Sequence, residues 1–216
     1  MGAVVTLSAC YGAGGSEIGP ALAQRLGVPF LDRAIPREVA ERLAVPLAEA
    51  ERRDGSVGSA LGRMLRDLAP LGAVFGSPAP AVLPEDEDDF IAATEQVIRE
   101  HAAGPGAVIL ERAAAVVLAD DPRALHVRLS GPRERRIEQA MRIEGVDRET
   151  ACRRQQETDR ARDAYVRHFY RVDAHDPALY HLSIDSTRLP LECVVALIAA
   201  AAETRPPAPA AASGPR

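Results

Sequence analysis

Apolar residues in this chain fall in short blocks, and the period inside each block predicts an element. Residues 3–7, Ala-Val-Val-Thr-Leu, form a β-branched run that ends in a glycine cluster, which predicts a buried strand feeding a loop. Over residues 17–26, Ile18, Leu22 and Leu26 recur at helical spacing and Gly27 supplies a stop. Pro20 lies at the limit of what a first helical turn tolerates and predicts a slightly distorted start. Residues 28–31 predict a second strand ending at Asp32. Strand, glycine loop, helix and strand make a βαβ unit, hence a parallel sheet.

Further along, a helical pattern broken by Pro46 and Gly55 runs from residue 36 to about 71. A loose Gly/Pro stretch over 72–89 follows, closing in an acidic string from Glu85 to Asp89, and predicts a flexible insertion. Phe90, Ile91, Thr94, Val97 and Ile98 return to helical spacing. Residues 107–110, 124–129 and 181–184 predict three more strands. Residues 133–144 predict a helix with Ile137, Met141 and Glu144 on one stripe. Another helix starts at Asp147, and Pro190 opens a last apolar helix through 202. The Pro/Ala/Gly-rich residues 204–216 predict a disordered tail. No internal repeat is present.

A length of 216 residues suits one α/β domain carrying small mobile subdomains. With 47% apolar but only 4% aromatic residues, the core must be aliphatic. A net charge of −5 argues against a general nucleic-acid binder. Cys10, Cys152 and Cys193 match no metal-ligand spacing and suit a reducing compartment. The five histidines likewise form no ligand pattern. No run has membrane-spanning length, and Gly12 and Gly14 interrupt any N-terminal signal. The expectation is a cytoplasmic protein with neither a membrane nor a nucleic-acid partner.

The chemistry starts at Ala9-Cys10-Tyr11-Gly12-Ala13-Gly14-Gly15-Ser16. A phosphate-binding loop of the form G-x-x-x-x-G-K-[ST] matches at Gly14 and Ser16, but Ala9 replaces its first glycine and Gly15 its lysine. Every one of the 26 basic residues is arginine. In the functional reading, backbone groups of Gly12, Ala13, Gly14, Gly15, Ser16 and Glu17 cradle ATP phosphates at a helix N-terminus. The Ser16 hydroxyl would order Mg²⁺. In the plainer reading the loop is a tight turn and Ser16 caps the helix.

Thirteen arginines lie between Arg123 and Arg171, and planar guanidinium donors suit phosphoryl chemistry. Some of them also suit a solvated helix, with Glu149, Arg153 and Glu157 spaced as i,i+4 pairs. Asp32, at a strand end beside the loop, would serve Mg²⁺, the acceptor nucleotide, or only a helix cap. Asp185 and Ser186 end the last strand at the same edge.

Four separated segments in order resemble the cytidylate kinase-like family, a branch of P-loop nucleoside monophosphate kinases. They are Tyr11 through Gly19, Gly27-Val28-Pro29-Phe30-Leu31-Asp32-Arg33, the stretch from Arg133 to Tyr165 with Glu157-Thr158-Asp159-Arg160-Ala161-Arg162, and Asp176 through Leu189. The resemblance runs from about Val4 to Ile198. It implies a three-layer α/β sandwich with a doubly wound, five-stranded parallel sheet, helices on both faces and a mobile lid. The domain would span 1–203, with an acceptor-side helical insertion at 36–89 and a lid at 147–171. It implies Mg-ATP-dependent phosphoryl transfer to CMP or dCMP, with Arg112 on the acceptor and Arg160 and Arg162 as lid arginines in catalysis. Asp185 would approach a nucleotide.

The chain departs from the family at Ala9, where an arginine is frequent, and at Glu111-Arg112, where Gly-Arg is usual. A nucleotide-binding or regulatory protein without turnover, and a P-loop kinase for another small acceptor, stay open as alternatives.

Overall fold

The computed structural model describes residues 2–32 and 87–204. Most of the insertion expected at 36–89 and nearly all of the tail expected from 204 lie outside those residues.

Five parallel strands form one sheet in the order β2-β3-β1-β4-β5. They are β1 (Val4–Ala9), β2 (Phe30–Leu31), β3 (Ala107–Leu110), β4 (Ala124–Ser130) and β5 (Leu182–Asp185). The helices are α1 (Gly15–Leu26), α2 (Glu87–Ala103), α3 (Ala114–Val117), α4 (Arg133–Glu144), α5 (Arg148–Tyr170) and α6 (Leu191–Glu203), with a 3₁₀ turn at Pro177–Leu179. The doubly wound parallel sheet expected from sequence is therefore observed.

Alternating side chains divide the core into two layers. Val4, Leu31, Ala107, Ile109 and Ala124 pack with Val97 and Ile98 of α2 and with Ala114 of α3. Val5, Leu7, Val108, Leu125 and Val127 pack with Ile18 and Leu22 of α1 and with Val194 and Ile198 of α6. Each such Leu or Ile contributes about 1.5–3 kcal/mol by burial. β1 is buried between β3 and β4; the chain leaves β1 toward β2 on one side and leaves β3 toward β4 on the other. The loop after β1 thus lies at the carboxyl edge where the winding reverses, the place where such sheets bind ligands.

Two boundaries differ from the sequence expectation. The helix expected around Phe90 already begins at Glu87, so the last residues of the acidic string are helical. At the other end, Thr204 belongs with α6, its hydroxyl donating to the Ala200 carbonyl at 3.0 Å. Pro20 is accommodated inside a continuous α1, which Gly27 closes in a left-handed conformation.

A third cluster stands apart from the sheet. α4 and α5 form a hairpin in which Ile137, Ala140 and Ala151 pack around Tyr11 of the glycine loop. Gln155 fastens the hairpin, accepting from Arg133 Nε at 3.0 Å and donating to the Arg133 carbonyl at 3.2 Å. Asp147 caps α5 by accepting the Thr150 N–H at 2.7 Å. The segment expected as a lid is this hairpin's second helix.

Candidate functional site

The glycine loop takes its shape from two left-handed glycines, Gly12 at φ 77° and Gly14 at φ 80°. Gly12 admits no side chain, because a Cβ there would lie 2.1 Å from the Arg136 carbonyl of α4. Inside the loop the Ala13 N–H donates to the Cys10 carbonyl at 2.9 Å, and buried Ser186 donates to the Ala13 carbonyl at 2.7 Å. Gly14 and Gly15 then open α1, so the first-turn amides face out of the helix end. Ser16 and Glu17 are exposed there.

A lysine in place of Gly15 would meet a steric obstacle. A Cβ on Gly15 would stand 2.8 Å from the Ala9 Cβ and 3.1 Å from Leu110 Cδ1. The two departures from the phosphate-loop pattern are therefore one arrangement, in which the Ala9 methyl occupies the space a residue-15 side chain needs.

A cavity of about 490 Å³ lies over the carboxyl edge, bounded by the loop, β1, β3, the turn after β3 and α5. Arg112 and Asp32 meet in its wall at 2.9 Å, and Arg112 also donates to the Leu110 carbonyl at 3.1 Å. Glu111, Arg112 and Ala113 are consecutive left-handed residues, at φ 68°, 55° and 53°. Such a run is costly for side chains other than glycine, which fits the glycine usual at position 111 in the family that the sequence resembles. The turn aims Glu111 inward, where its Oε1 accepts the Ala9 N–H at 2.7 Å. Burial pushes the Glu111 carboxyl above its ordinary range, opposed by Arg162 and by the Ala9 hydrogen bond. Arg162 faces Glu111 at 3.6 Å and donates to the Ala9 carbonyl.

On the cavity's far side Arg128 of β4 donates to the Ala174 carbonyl, lies 2.7 Å from His175 Nδ1 and sits over the Tyr180 ring. His175 Nε2 in turn contacts Asp163 Oδ2 of α5 at 3.0 Å. A second groove of about 440 Å³ runs along the other flank of the loop, between Glu17, Gln139, Arg142 and residues 187–191. Gln139 is only 3% exposed, and its Nε2 has no partner among the described residues. A Cβ added to Gly14 would lie 3.1 Å from that atom.

The family model for cytidylate kinase-like proteins matches residues 4–188. The chain belongs to the cytidylate kinase-like family. A cytidylate kinase of Methanopyrus kandleri is 28% identical over 189 residues, covering 86% of this chain and 85% of that protein. Among solved structures, an uncharacterized protein from Eubacterium ventriosum has a TM-score of 0.64 at 17% identity, over 94% of this chain and 99% of that one. A gluconokinase from Sinorhizobium meliloti has a TM-score of 0.51 at 16% identity, over 93% and 91%. At these identities the structural likeness is one of fold.

In this cytidylate kinase-like chain most, but not all, of the residues singled out from sequence line one of the two spaces. Gly12, Gly14, Gly15, Ser16, Asp32, Arg112 and Arg162 all line the large cavity. Glu17 lines the groove. Ala13 is buried, with both backbone groups engaged inside the protein. Arg160 is exposed on α5 and lines neither space, because it is turned about 100° from Asp159 on the helix. Asp185 closes its own turn, accepting from Thr187 Oγ1 at 2.6 Å and pairing with Arg188 at 3.0 Å.

No site role is assigned from sequence to Arg128, Arg136, Asp159 or His175, nor an inward role to Glu111. The available signal was a glutamate ending an apolar strand, since a charge buried there demands a partner. Among the described residues no three His, Cys, Asp or Glu side chains gather to hold a metal, and no helix is long and apolar enough to cross a membrane.

Cys10 lies at the loop, half-buried, and burial pushes its thiol above the ordinary value despite nearby Arg128. Iodoacetamide at neutral pH should label exposed Cys193 first, with Cys10 at least about tenfold slower, because only the thiolate reacts. Residue-resolved mass spectrometry checks the order. Faster labelling of Cys10 would contradict the burial account.

Proposed function

We propose that the protein transfers the γ-phosphoryl group of ATP to a nucleoside monophosphate, CMP or dCMP. The observation that carries this reading is the position of the glycine loop between two spaces, the groove on one flank and the larger cavity on the other. A donor and an acceptor entering from the two sides would meet at the loop.

The groove suits the donor nucleoside, with guanidinium groups from Arg142 and Arg188 beside the apolar faces of Leu189 and Pro190. Donor phosphates would then reach the Gly14–Ser16 amides at the start of α1, where the helix dipole favours anions. Gln139 Nε2, which has no partner among the described residues, adds a neutral donor beside Gly14. Arg112 on the cavity wall supplies planar donors for the acceptor phosphate, with Asp32 fixing its orientation.

Arg162 lines the large cavity at the start of the loop, on Ala9 and Glu111. A guanidinium carries five N–H donors, so its contacts with Ala9 and Glu111 leave capacity for an oxygen of the transferring group. Phosphoryl transfer of this kind depends on positioning and charge neutralisation and needs no strong general base. The chain's donor set fits Mg²⁺ carried mainly by the nucleotide, since Mg²⁺ commonly takes one or two protein oxygens with substrate phosphates. Ser16 would be the protein ligand, and the ion would neutralise charge on the phosphate oxygens.

Calorimetric titration separates the two sites. CMP should bind the wild type, and Arg112→Ala should weaken it about tenfold or more, the scale of a lost charged hydrogen bond. ATP affinity should stay within about twofold. Equal loss for both nucleotides, or no CMP binding by a protein that binds ATP, would contradict the assignment of the cavity to the acceptor.

A further inference from the structure

Two acid–arginine pairs grip the glycine loop, and each takes both backbone groups of one residue. Glu111 accepts the Ala9 N–H at 2.7 Å while Arg162 donates to the Ala9 carbonyl. Asp159 accepts the Tyr11 N–H at 2.8 Å while Arg136 donates to the Tyr11 carbonyl at 2.8 Å. The members of each pair also face one another, at 3.6 Å for Glu111 and Arg162 and 2.8 Å for Asp159 and Arg136. Ala9 and Tyr11 are the first and third positions of the eight-residue phosphate-loop pattern, immediately before the left-handed glycines.

We propose that these two ion pairs brace the lysine-free loop, making Glu111, Asp159 and Arg136 positioning residues for the donor phosphates and making the docking of α5 a condition for an ordered loop. The proposal rests on the loop being the donor-phosphate site. Buried backbone groups must be paired, and a charged partner makes the stronger hydrogen bond. Each pair is close to neutral as a unit, so Glu111 and Asp159 hold the loop without presenting an uncompensated negative charge to an incoming phosphate.

Both α5 members come from one helical face, because Asp159 and Arg162 are spaced i,i+3. The Tyr11 side chain strengthens the same connection. Its ring packs in the α4–α5 cluster, and its hydroxyl donates to Glu144 at 2.7 Å, itself paired with Arg154 at 2.6 Å. Movement of α5 away from the sheet would therefore free the Ala9 carbonyl and the Tyr11 N–H together, leaving only the Glu111 and Arg136 contacts on the loop.

An opposite role is open to Asp159, that of an internal anion competing with phosphate. The contacts favour bracing. Its carboxylate takes the Tyr11 N–H, whereas the amides at the start of α1, from Gly15 onward, lie beyond it in the chain. The two roles predict opposite changes in ATP affinity.

Hydrogen–deuterium exchange on the ligand-free full chain reads the brace without requiring activity. In Asp159→Ala and Glu111→Ala, peptides covering residues 9–14 should exchange about tenfold or more faster, while peptides from β4 and α6 keep wild-type rates. Asp159→Asn and Glu111→Gln retain a carbonyl acceptor and should fall between wild type and alanine. They also supply the answer where an alanine variant does not fold. Arg148→Ala, which removes an exposed pair with Glu134, should leave loop exchange unchanged.

A fluorescent ATP analogue should bind Asp159→Ala about tenfold more weakly than wild type. Wild-type loop exchange in both alanine variants, acceleration spread evenly over the sheet, or tighter binding by Asp159→Ala would each overturn the proposal. Absence of ATP binding in the wild type would count against the kinase reading, while the exchange rates decide the brace by themselves.

Discussion

Arg162→Ala is expected to lower kcat for phosphoryl transfer by about 10³-fold, the range seen when a guanidinium that stabilises transferring charge is removed. ATP affinity should fall much less, by about tenfold, through loss of the Ala9 contact. That split distinguishes a group acting on the transferring phosphoryl from one that only shapes the loop. Arg162→Lys should recover little. An ammonium on a flexible stem is a point charge and does not reproduce the planar fork that reaches the Ala9 carbonyl and Glu111 together. Steady-state kinetics with both substrates varied checks this. A kcat within tenfold of wild type would remove Arg162 from the chemistry and leave it as part of the brace.

The second large effect comes from restoring the missing lysine. Gly15→Lys introduces a Cβ at 2.8 Å from the Ala9 Cβ, and neither atom is the free end of a flexible side chain. Two terms oppose one another. Replacing a helix glycine gains up to about 1 kcal/mol, while overpacking a rigid site costs about 1–3 kcal/mol. Overpacking should win, because β1 is fixed between two strands and α1 is fixed against α6. With a net loss of about 1–2 kcal/mol, the single variant is expected to melt about 2–8 °C lower, on the scale of about 2–4 °C per kcal/mol for a domain of this size. Ala9→Gly in the same chain should restore most of the loss. A Gly15→Lys variant with wild-type Tm would show that the Ala9 methyl is not what excludes the lysine.

Much of the sheet was legible because its signals are local. The apolar runs at 107–110 and 124–129, the glycines after β1 and the stripe at Ile137 and Met141 each lie within a few residues of the element they specify. The loop and Asp32 were legible for the same reason, since a motif and a strand end place them at one sheet edge, while Arg112 came from the family resemblance. The brace was not. Glu111 meets Ala9 across 102 positions and Asp159 meets Tyr11 across 148, and nothing in the local pattern of α5 distinguishes Asp159 from the solvated acids around it.

A glutamate beside a phosphate-handling arginine, as Glu111 is beside Arg112, would repel an anionic substrate if it faced one. Its left-handed turn directs it instead to a backbone donor and an arginine. Asp185 shows the converse. Its strand end pointed toward the ligand edge, but Asp-Ser-Thr is also turn-forming chemistry, and the carboxylate is occupied by Thr187 and Arg188.

The most direct test of the central claim is ADP formation by the wild-type protein with Mg²⁺, ATP and each nucleoside monophosphate in turn. The account predicts ADP release that depends on CMP or dCMP and exceeds that with AMP, GMP and UMP. No acceptor-dependent ADP with any of them, at concentrations where both nucleotides are bound, would contradict phosphoryl transfer and leave a nucleotide-binding protein built on a kinase fold.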